Sequence, residues 1–164
     1  MRKSGALSYT ARMIRTHRPD DFLACLFMHE PARRRLYALY ALDIELQQVR
    51  HHVSEEMLAQ IRYAWWEEAL ADIATGKKPK EHPVLQAVAE DAAHGVPVKL
   101  ATAYREHYPD LPPNGVFDEM VNNIASTEPG WQKARKIIAH HRQRFRLKKN
   151  VWLHVKLLWM GHFS

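Results

Sequence analysis

The chain has 164 residues, of which 46% are apolar and 26% charged, and its formal net charge is +6. This length is enough for one domain with a hydrophobic core, and the composition is that of a globular protein. The single cysteine, Cys25, excludes a disulfide framework and a thiolate zinc site, and no apolar run is long enough to cross a bilayer.

The positive charge is concentrated at one end of the chain. Residues 131–164 contain nine Lys or Arg and no Asp or Glu, whereas residues 1–130 carry 15 basic and 18 acidic side chains. A basic tail of this kind favours contact with phosphate groups. The N-terminus, residues 1–18, is also basic, and we interpret it as an ordinary first helix with an organelle transit peptide as the alternative.

Helix-breaking residues divide the first part of the chain into helices. Residues 8–17 and 20–29 are predicted as short helices separated at Pro19, and Pro31 opens a longer helix that runs to about Val53. Apolar residues three and four positions apart predict the buried face of the long helix, which consists of Leu39, Leu42, Leu46, Val49 and Val53.

The next helix is predicted to begin after a capping Ser54 and to end at Gly76. Shorter helices are predicted from Pro83 to Gly95 and over residues 97–107. From the spacing of apolar residues, we expect the inner face of the helix after Ser54 to consist of Leu58, Ile61, Trp65, Ala69 and Ile73.

The segment PDLPPNG, residues 109–115, is the strongest internal boundary, because three prolines and an Asn-Gly pair cannot continue a helix. It separates residues 1–108 from residues 116–164, a divergent part in which basic and apolar helices are predicted, the last over 150–160. The elements together predict a single all-α domain, residues 1–164, that is built as a helical bundle.

Three segments carry a family resemblance: RRRLYALYAL, VSEEMLAQIRYAWWEEAL and HPVL. Their order and spacing over about residues 8–100 resemble the squalene/phytoene synthase family. The resemblance implies an isoprenoid-synthase fold, here shortened. Active members of that family join two prenyl diphosphates head to head, with Mg²⁺ held by two aspartate-rich motifs. Carboxylates four residues apart lie on one helix face, where they can share the metal with diphosphate oxygens.

In the alignment that the resemblance implies, the first aspartate-rich motif is replaced. Tyr40 keeps the family tyrosine, Ile44 stands at the arginine, and Gln47 and His51 stand at the two metal-binding aspartates. A neutral amide and an imidazole are poor Mg²⁺ ligands. We therefore expect no catalytic residues in this degenerate motif, no bound metal and no cofactor.

One branch of the family has the pattern ELxxVxxxVSE in place of the aspartate motif, and it includes mitochondrial complex I assembly factors and their bacterial relatives. The residues that match this pattern are Glu45, Leu46, Val49, Val53, Ser54 and Glu55. The resemblance implies a noncatalytic assembly or scaffold factor in respiratory complex I biogenesis, with a protein partner. It would act in the bacterial cytoplasm, peripherally on the inner membrane, or in the mitochondrial matrix of a eukaryote.

A second interpretation is a Mg²⁺-dependent head-to-head prenyl diphosphate transferase with a rearranged metal site. Its acids would be Asp118 and Glu119, or the pair Glu68 and Asp72, for which a solvated helix face is the simpler interpretation. Four residues would then face the prenyl chain or diphosphate, although core packing explains the aromatic ones equally well: Tyr37, Tyr40, Ile44 and Trp65.

A third interpretation is a peripheral membrane module, for which the closing helix of a bundle is the alternative. Its contacts with an anionic membrane surface would be made by Arg144, Arg146, Lys148, Lys149, Trp152 and Trp159. An apolar groove left open by a shortened fold would bind a protein partner, a lipid or isoprenoid, or a second copy of the chain in a homodimer. Nucleic acid is not favoured, because no reading motif is recognised.

Overall fold

A computed structural model of the protein describes residues 8–143. Within these residues the chain forms helices and no strands, which confirms the predicted all-α fold. The helices in chain order are α1 (Tyr9–His17), α2 (Pro19–Cys25), α3 (Glu30–His52), α4 (Glu56–Ala74), α5 (Pro83–Glu90), α6 (Val98–His107), α7 (Asn114–Ala125) and α8 (residues 129–143), with a 3-10 turn at Ala92–His94. None of these described helices is both long and apolar enough to span a membrane.

Helix α3 forms the centre of the bundle. It contacts α1, α2, α4, α5, α6 and α7, and all nine residues from 36 to 44 are buried. The face predicted from the sequence is buried as expected, but over residues 36–44 burial extends around the whole circumference of the helix, because neighbouring helices cover it there. Asp43 lies within this buried stretch, so its carboxylate has to find its partners inside the protein.

The predicted helix boundaries agree with the structure at the prolines and glycines. Pro19 is the first residue of α2, and Gly76 and Gly95 have φ values of +80° and +106°, which end α4 and the 3-10 turn. The predicted cap by Ser54 is wrong. Glu55 occupies the N-cap position of α4, and no side chain caps that end. Ser54 lies one residue before the N-cap position.

The predicted inner face of α4 is also wrong in part. Leu58, Ile61 and Trp65 are 49%, 58% and 38% exposed. The buried residues of this helix are Ala59, Tyr63, Trp66, Ala69, Leu70 and Ile73, of which only Ala69 and Ile73 were predicted. Apolar residues occur on nearly all sides of α4, so their spacing does not define one face. The helix is oriented by its packing against α6, where the Tyr63 ring stacks on Tyr104 at 6.1 Å.

The C-terminal helices pack back onto the N-terminal ones. Residues 108–113 join α6 to α7, which contacts α3 and α6. The predicted break over 109–115 is therefore two residues too long, because Asn114 and Gly115 are the first residues of α7. At the start of α8, buried Glu128 accepts a hydrogen bond from the backbone N–H of His29 at 3.1 Å. Farther along this helix, Arg142 pairs with Asp20 at 2.9 Å. The predicted helix over 150–160 and the first seven residues lie outside the described residues.

Candidate functional site

A small polar cavity of about 150 Å³ lies where the aligned aspartate motif begins on α3. Tyr40, Asp43 and Gln47 reach it from one face of α3, because they are spaced by three and four residues. The break between α1 and α2 and the other helices contribute further residues to its wall: Arg18, Asp21, Tyr104, Phe117, Asp118 and Arg135. The cavity therefore collects side chains from residues 18 to 135, most of them charged or polar.

Asp43 is the centre of a closed hydrogen-bond network. Asp43 as a whole is 3% exposed. Tyr104 donates its hydroxyl to Oδ1 at 2.6 Å, and the Gln47 amide donates to Oδ2 at 2.9 Å. The Arg18 guanidinium forms an ion pair with the same Oδ2. Both carboxylate oxygens are thus engaged by donors of the protein itself.

Arg18 is positioned by the break between α1 and α2. Pro19 disfavours a helical conformation for the preceding residue, so α1 ends and Arg18 has φ −138° and ψ 64°. The guanidinium carbon lies 5.5 Å from the centre of the Tyr40 ring and 5.4 Å from that of Phe117. These cation–π contacts, together with the ion pair to Asp43, hold a positive charge in the wall of the cavity.

Burial governs the proton affinities in this network. Burial raises the pKa of Asp43 above its ordinary value, although Tyr104, Arg18 and Gln47 each act to lower it. Burial and the nearby Asp43 carboxylate raise the pKa of Tyr104 as well, so this hydroxyl keeps its proton and acts as a donor. The pKa of Tyr40 is raised in the same way, by burial and by Asp21.

A second acid, Asp21, lies at the rim of the cavity. The Tyr40 hydroxyl donates to Asp21 Oδ1 at 3.0 Å, and Arg135 Nε lies 3.9 Å from the same oxygen. Arg18, Asp21 and Arg135 also line a neighbouring open cavity of about 500 Å³ that extends to Arg142. Three guanidinium groups thus line the two cavities, and each of them lies within 4 Å of an aspartate carboxylate.

The structure brings together only some of the residues predicted from the sequence. Tyr40, Gln47 and Asp118 line the same cavity. His51 lies about one turn farther along α3, is exposed and is not among the lining residues. Glu119 is also exposed and does not line it. The aligned pair Gln47 and His51 therefore does not act on one cavity.

The predicted prenyl-facing residues other than Tyr40 lie elsewhere. Ile44 is buried in the core, and the buried Tyr37 ring stacks on Phe22 at 5.8 Å. Trp65 is partly exposed on α4, where it packs edge-to-face against Trp66 at 5.1 Å. None of these three residues lines the cavity around Asp43.

The remaining predicted residues are either paired at the surface or not described. Glu68 lies 3.4 Å from Lys80, and Asp72 lies 2.7 Å from Lys77. The predicted membrane contacts lie outside the described residues: Arg144, Arg146, Lys148, Lys149, Trp152 and Trp159.

The donor set of the cavity does not fit Mg²⁺. Three acids line it, but Asp43 and Asp21 already accept from protein donors, which leaves Asp118 as the exposed carboxylate. No group of three His, Cys, Asp or Glu between residues 8 and 143 is arranged to hold a metal ion. Mg²⁺ needs several oxygen ligands in octahedral geometry. The arrangement is instead suited to hold the helices together around a fixed positive charge.

Sequence reasoning missed the centre of this site. One signal for Asp43 was present, because it is the first acid after the apolar run LYALYAL, and an acid in such a run must be paired if that part of the helix is buried. Arg18, Tyr104 and Arg135 carry no comparable local signal, since each is brought to the cavity by packing between distant helices.

A model of the squalene/phytoene synthase family matches residues 14–107 of the chain. Two proteins called NADH dehydrogenase (ubiquinone) complex I, assembly factor 6, from Bos taurus and Homo sapiens, are each 27% identical to it, over 78 and 77 residues. These matches cover 48% and 47% of this chain but only 23% of each relative. No solved structure is significantly similar to the chain.

Proposed function

Because this chain belongs to the squalene/phytoene synthase family, we propose that it is a noncatalytic member acting as an assembly or scaffold factor in respiratory complex I biogenesis. The two relatives whose names state complex I assembly support this role. The role requires a protein partner, and its location would be the bacterial cytoplasm, peripherally on the inner membrane, or the mitochondrial matrix.

One observation carries the noncatalytic part of the proposal. Gln47, at the aligned position of a metal-binding aspartate, donates its amide to Asp43, and Arg18 pairs with the same carboxylate oxygen. A guanidinium charge thus balances the buried carboxylate that a metal would otherwise have to share. Without a cluster of free carboxylates, Mg²⁺ is not held where it would stabilise a departing diphosphate.

The noncatalytic part is tested by diphosphate release. The purified chain is incubated with farnesyl or geranylgeranyl diphosphate and Mg²⁺, with an active family member as the positive control. We expect release no faster than in protein-free buffer. Mg²⁺-dependent release that is lost in Asp118→Ala and Glu119→Ala variants would instead support a prenyl diphosphate transferase with a rearranged metal site.

One observation favours the prenyl diphosphate transferase as a second candidate: Asp118 lines the same cavity as Asp21 and Asp43. A ligand diphosphate could reach the guanidinium groups of Arg18 and Arg135 from the neighbouring open cavity. The same release assay therefore separates the two functions.

The assembly part is tested in the organism that encodes the chain. Removal of its gene should reduce assembled complex I on native gels and leave the other respiratory complexes unchanged. The wild-type chain and the Asp118→Ala variant should restore assembly equally, because scaffolding does not need this acid. Normal complex I after gene removal would contradict the assembly role.

The membrane-surface part of the proposal rests on the basic, tryptophan-bearing tail. Anionic liposomes should carry the wild-type chain upward in a density gradient and should leave a Trp152→Ser, Trp159→Ser variant at the bottom. Equal flotation of the two chains would reject a role of these tryptophans.

A further inference from the structure

A second cavity of about 200 Å³ lies beside the N-terminal half of α3, between α5, the 3-10 turn and α7. None of its lining residues lines the cavity around Asp43. Its wall is mostly apolar and includes Ala38, Leu39, Ala87, Val88, Met120 and Ile124. For comparison, an apolar protein cavity of about 150 Å³ takes up one benzene molecule. This cavity therefore has room for a somewhat larger hydrocarbon body.

Arg35 places a guanidinium group in the wall of this cavity. Its Nε is buried and has no hydrogen-bond partner among the residues that the structure describes. The residues outside the described range contain no Asp or Glu that could pair with it. A buried N–H without an acceptor is costly, whereas Arg35 as a whole is only partly buried and lines the cavity, so an external acceptor beside its guanidinium would be stabilising.

The one acid that lines the cavity, Asp91, does not fill this need. Arg34 donates to both of its oxygens, through Nε at 3.0 Å and through a terminal nitrogen at 3.2 Å. These contacts lower the pKa of Asp91, so it stays ionised at neutral pH and paired with Arg34. The Arg35 charge also acts to lower the pKa of Asp91, so the two side chains interact electrostatically without a hydrogen bond to the Arg35 Nε. A ligand with one negative charge can add to this arrangement, while the Asp91 carboxylate disfavours a ligand that carries two negative charges.

We propose that this cavity binds a medium-chain carboxylate, with the carboxylate on Arg35 and the hydrocarbon body against α5 and α7. The three requirements come from the cavity itself: an apolar body of limited size, a planar acceptor that matches the guanidinium, and a single negative charge. The proposal goes beyond the assembly role and does not depend on it.

Isothermal titration of the full chain with octanoate, 1-octanol and octyl phosphate at neutral pH tests the ligand class. We expect octanoate to bind one site per chain, and octanol to bind about tenfold more weakly or worse, because it lacks the charge-assisted hydrogen bond. Absence of octanoate binding, or equal binding of octanol, would overturn the proposal. Tighter binding of octyl phosphate would overturn the carboxylate assignment in favour of a phosphate ester.

Variants test the location of the site. Arg35→Met should weaken octanoate binding by about tenfold or more, while leaving octanol binding unchanged. The matched control is Arg33→Met, since Arg33 pairs with Glu30 and does not line the cavity. Ala87→Leu, which fills the cavity and keeps Arg35, should abolish binding of both ligands. Octanoate binding at wild-type strength by either Arg35→Met or Ala87→Leu would exclude this cavity, provided that both variants unfold cooperatively in urea.

Discussion

At the scale of single residues, the site depends on how a buried carboxylate is neutralised. Asp43 sits on the central helix with both oxygens bound by Tyr104, Gln47 and Arg18. A buried acid is tolerated only when such partners replace the water that it loses. The same contacts that make the acid tolerable leave it poorly available to a metal ion.

The bond from Tyr104 to Asp43 should contribute more to stability than an ordinary tyrosine hydrogen bond. Tyr104→Phe is expected to lower the free energy of unfolding by about 1.5–3 kcal/mol, because the donor serves a carboxylate. Tyr63→Phe is the matched control, since its buried hydroxyl donates to the neutral carbonyl of Leu46 at 3.2 Å, and about 0.5–1.5 kcal/mol should be lost. Urea denaturation measures both losses, and equal losses would contradict the special role of Asp43.

The raised pKa of Asp43 predicts a direction of pH dependence. In the folded protein its carboxyl binds a proton more tightly than in the unfolded chain, where its pKa is near 3.8. The contribution of Asp43 to stability is therefore full below that value and decreases as pH rises through the raised pKa. Asp43→Asn does not titrate at this position. As the pH rises from the pKa of the unfolded chain to the raised pKa of the folded protein, the wild-type free energy of unfolding should therefore fall relative to that of Asp43→Asn. Urea denaturation of both chains from pH 3 upward, in steps of about half a unit, measures this difference, and a rise with pH would refute it.

Some residues of this site could be predicted from the sequence, and the others could not for a physical reason. Tyr40 and Gln47 were found because family resemblance fixes positions along one helix. Asp118 was found only as an isolated acid near another. Arg18 and Tyr104 were missed because they meet Asp43 across 25 and 61 residues of chain, and that proximity is created by packing rather than by local spacing.

At the scale of helices, α4 shows where periodicity fails. The long helix α3 is buried on all sides over residues 36–44, so any apolar face predicted for that part agrees with the structure. Helix α4 is covered on one side only, and its apolar residues point in nearly all directions, which leaves Met57, Leu58 and Ile61 exposed. Spacing indicated a helix correctly, but the choice of its inner face depends on which residues fit α6.

Shortening a side chain to alanine should lower the free energy of unfolding far more on the buried side of α4 than on its exposed side. Ile61→Ala is expected to change the free energy of unfolding by no more than about 0.5 kcal/mol, because its side chain is largely in solvent. Leu70→Ala, two and a half turns later on the buried side, should cost about 2–5 kcal/mol. Thermal or urea unfolding of the two variants compares them directly, and a large loss in Ile61→Ala would mean that this side is covered in solution.

At the scale of the whole molecule, the fold is held closed by contacts between the two ends of the described chain. Helix α8 is joined to α2 by the ion pairs of Arg135 with Asp21 and of Arg142 with Asp20, and its Trp131 and Ala134 are buried. A close approach occurs at Gly130, where an added Cβ would lie 2.5 Å from the backbone oxygen of Phe27 in the turn that follows α2. The polar cavity depends on this closure, because Arg135 reaches it from α8.

A methyl group at Gly130 should therefore push α8 away from the turn that follows α2. Gly130→Ala is expected to destabilise the protein by about 1–3 kcal/mol, because the clash is with backbone that cannot rotate away. Gly115→Ala is the matched control, since nothing lies within 4 Å of its added Cβ and its φ is not positive, and it should be neutral or stabilise by about 0.4–1 kcal/mol. Urea denaturation measures both effects. Equal stability of the two variants would mean that α8 does not stay against α2 in solution, and the cavity would then lose Arg135 from its wall.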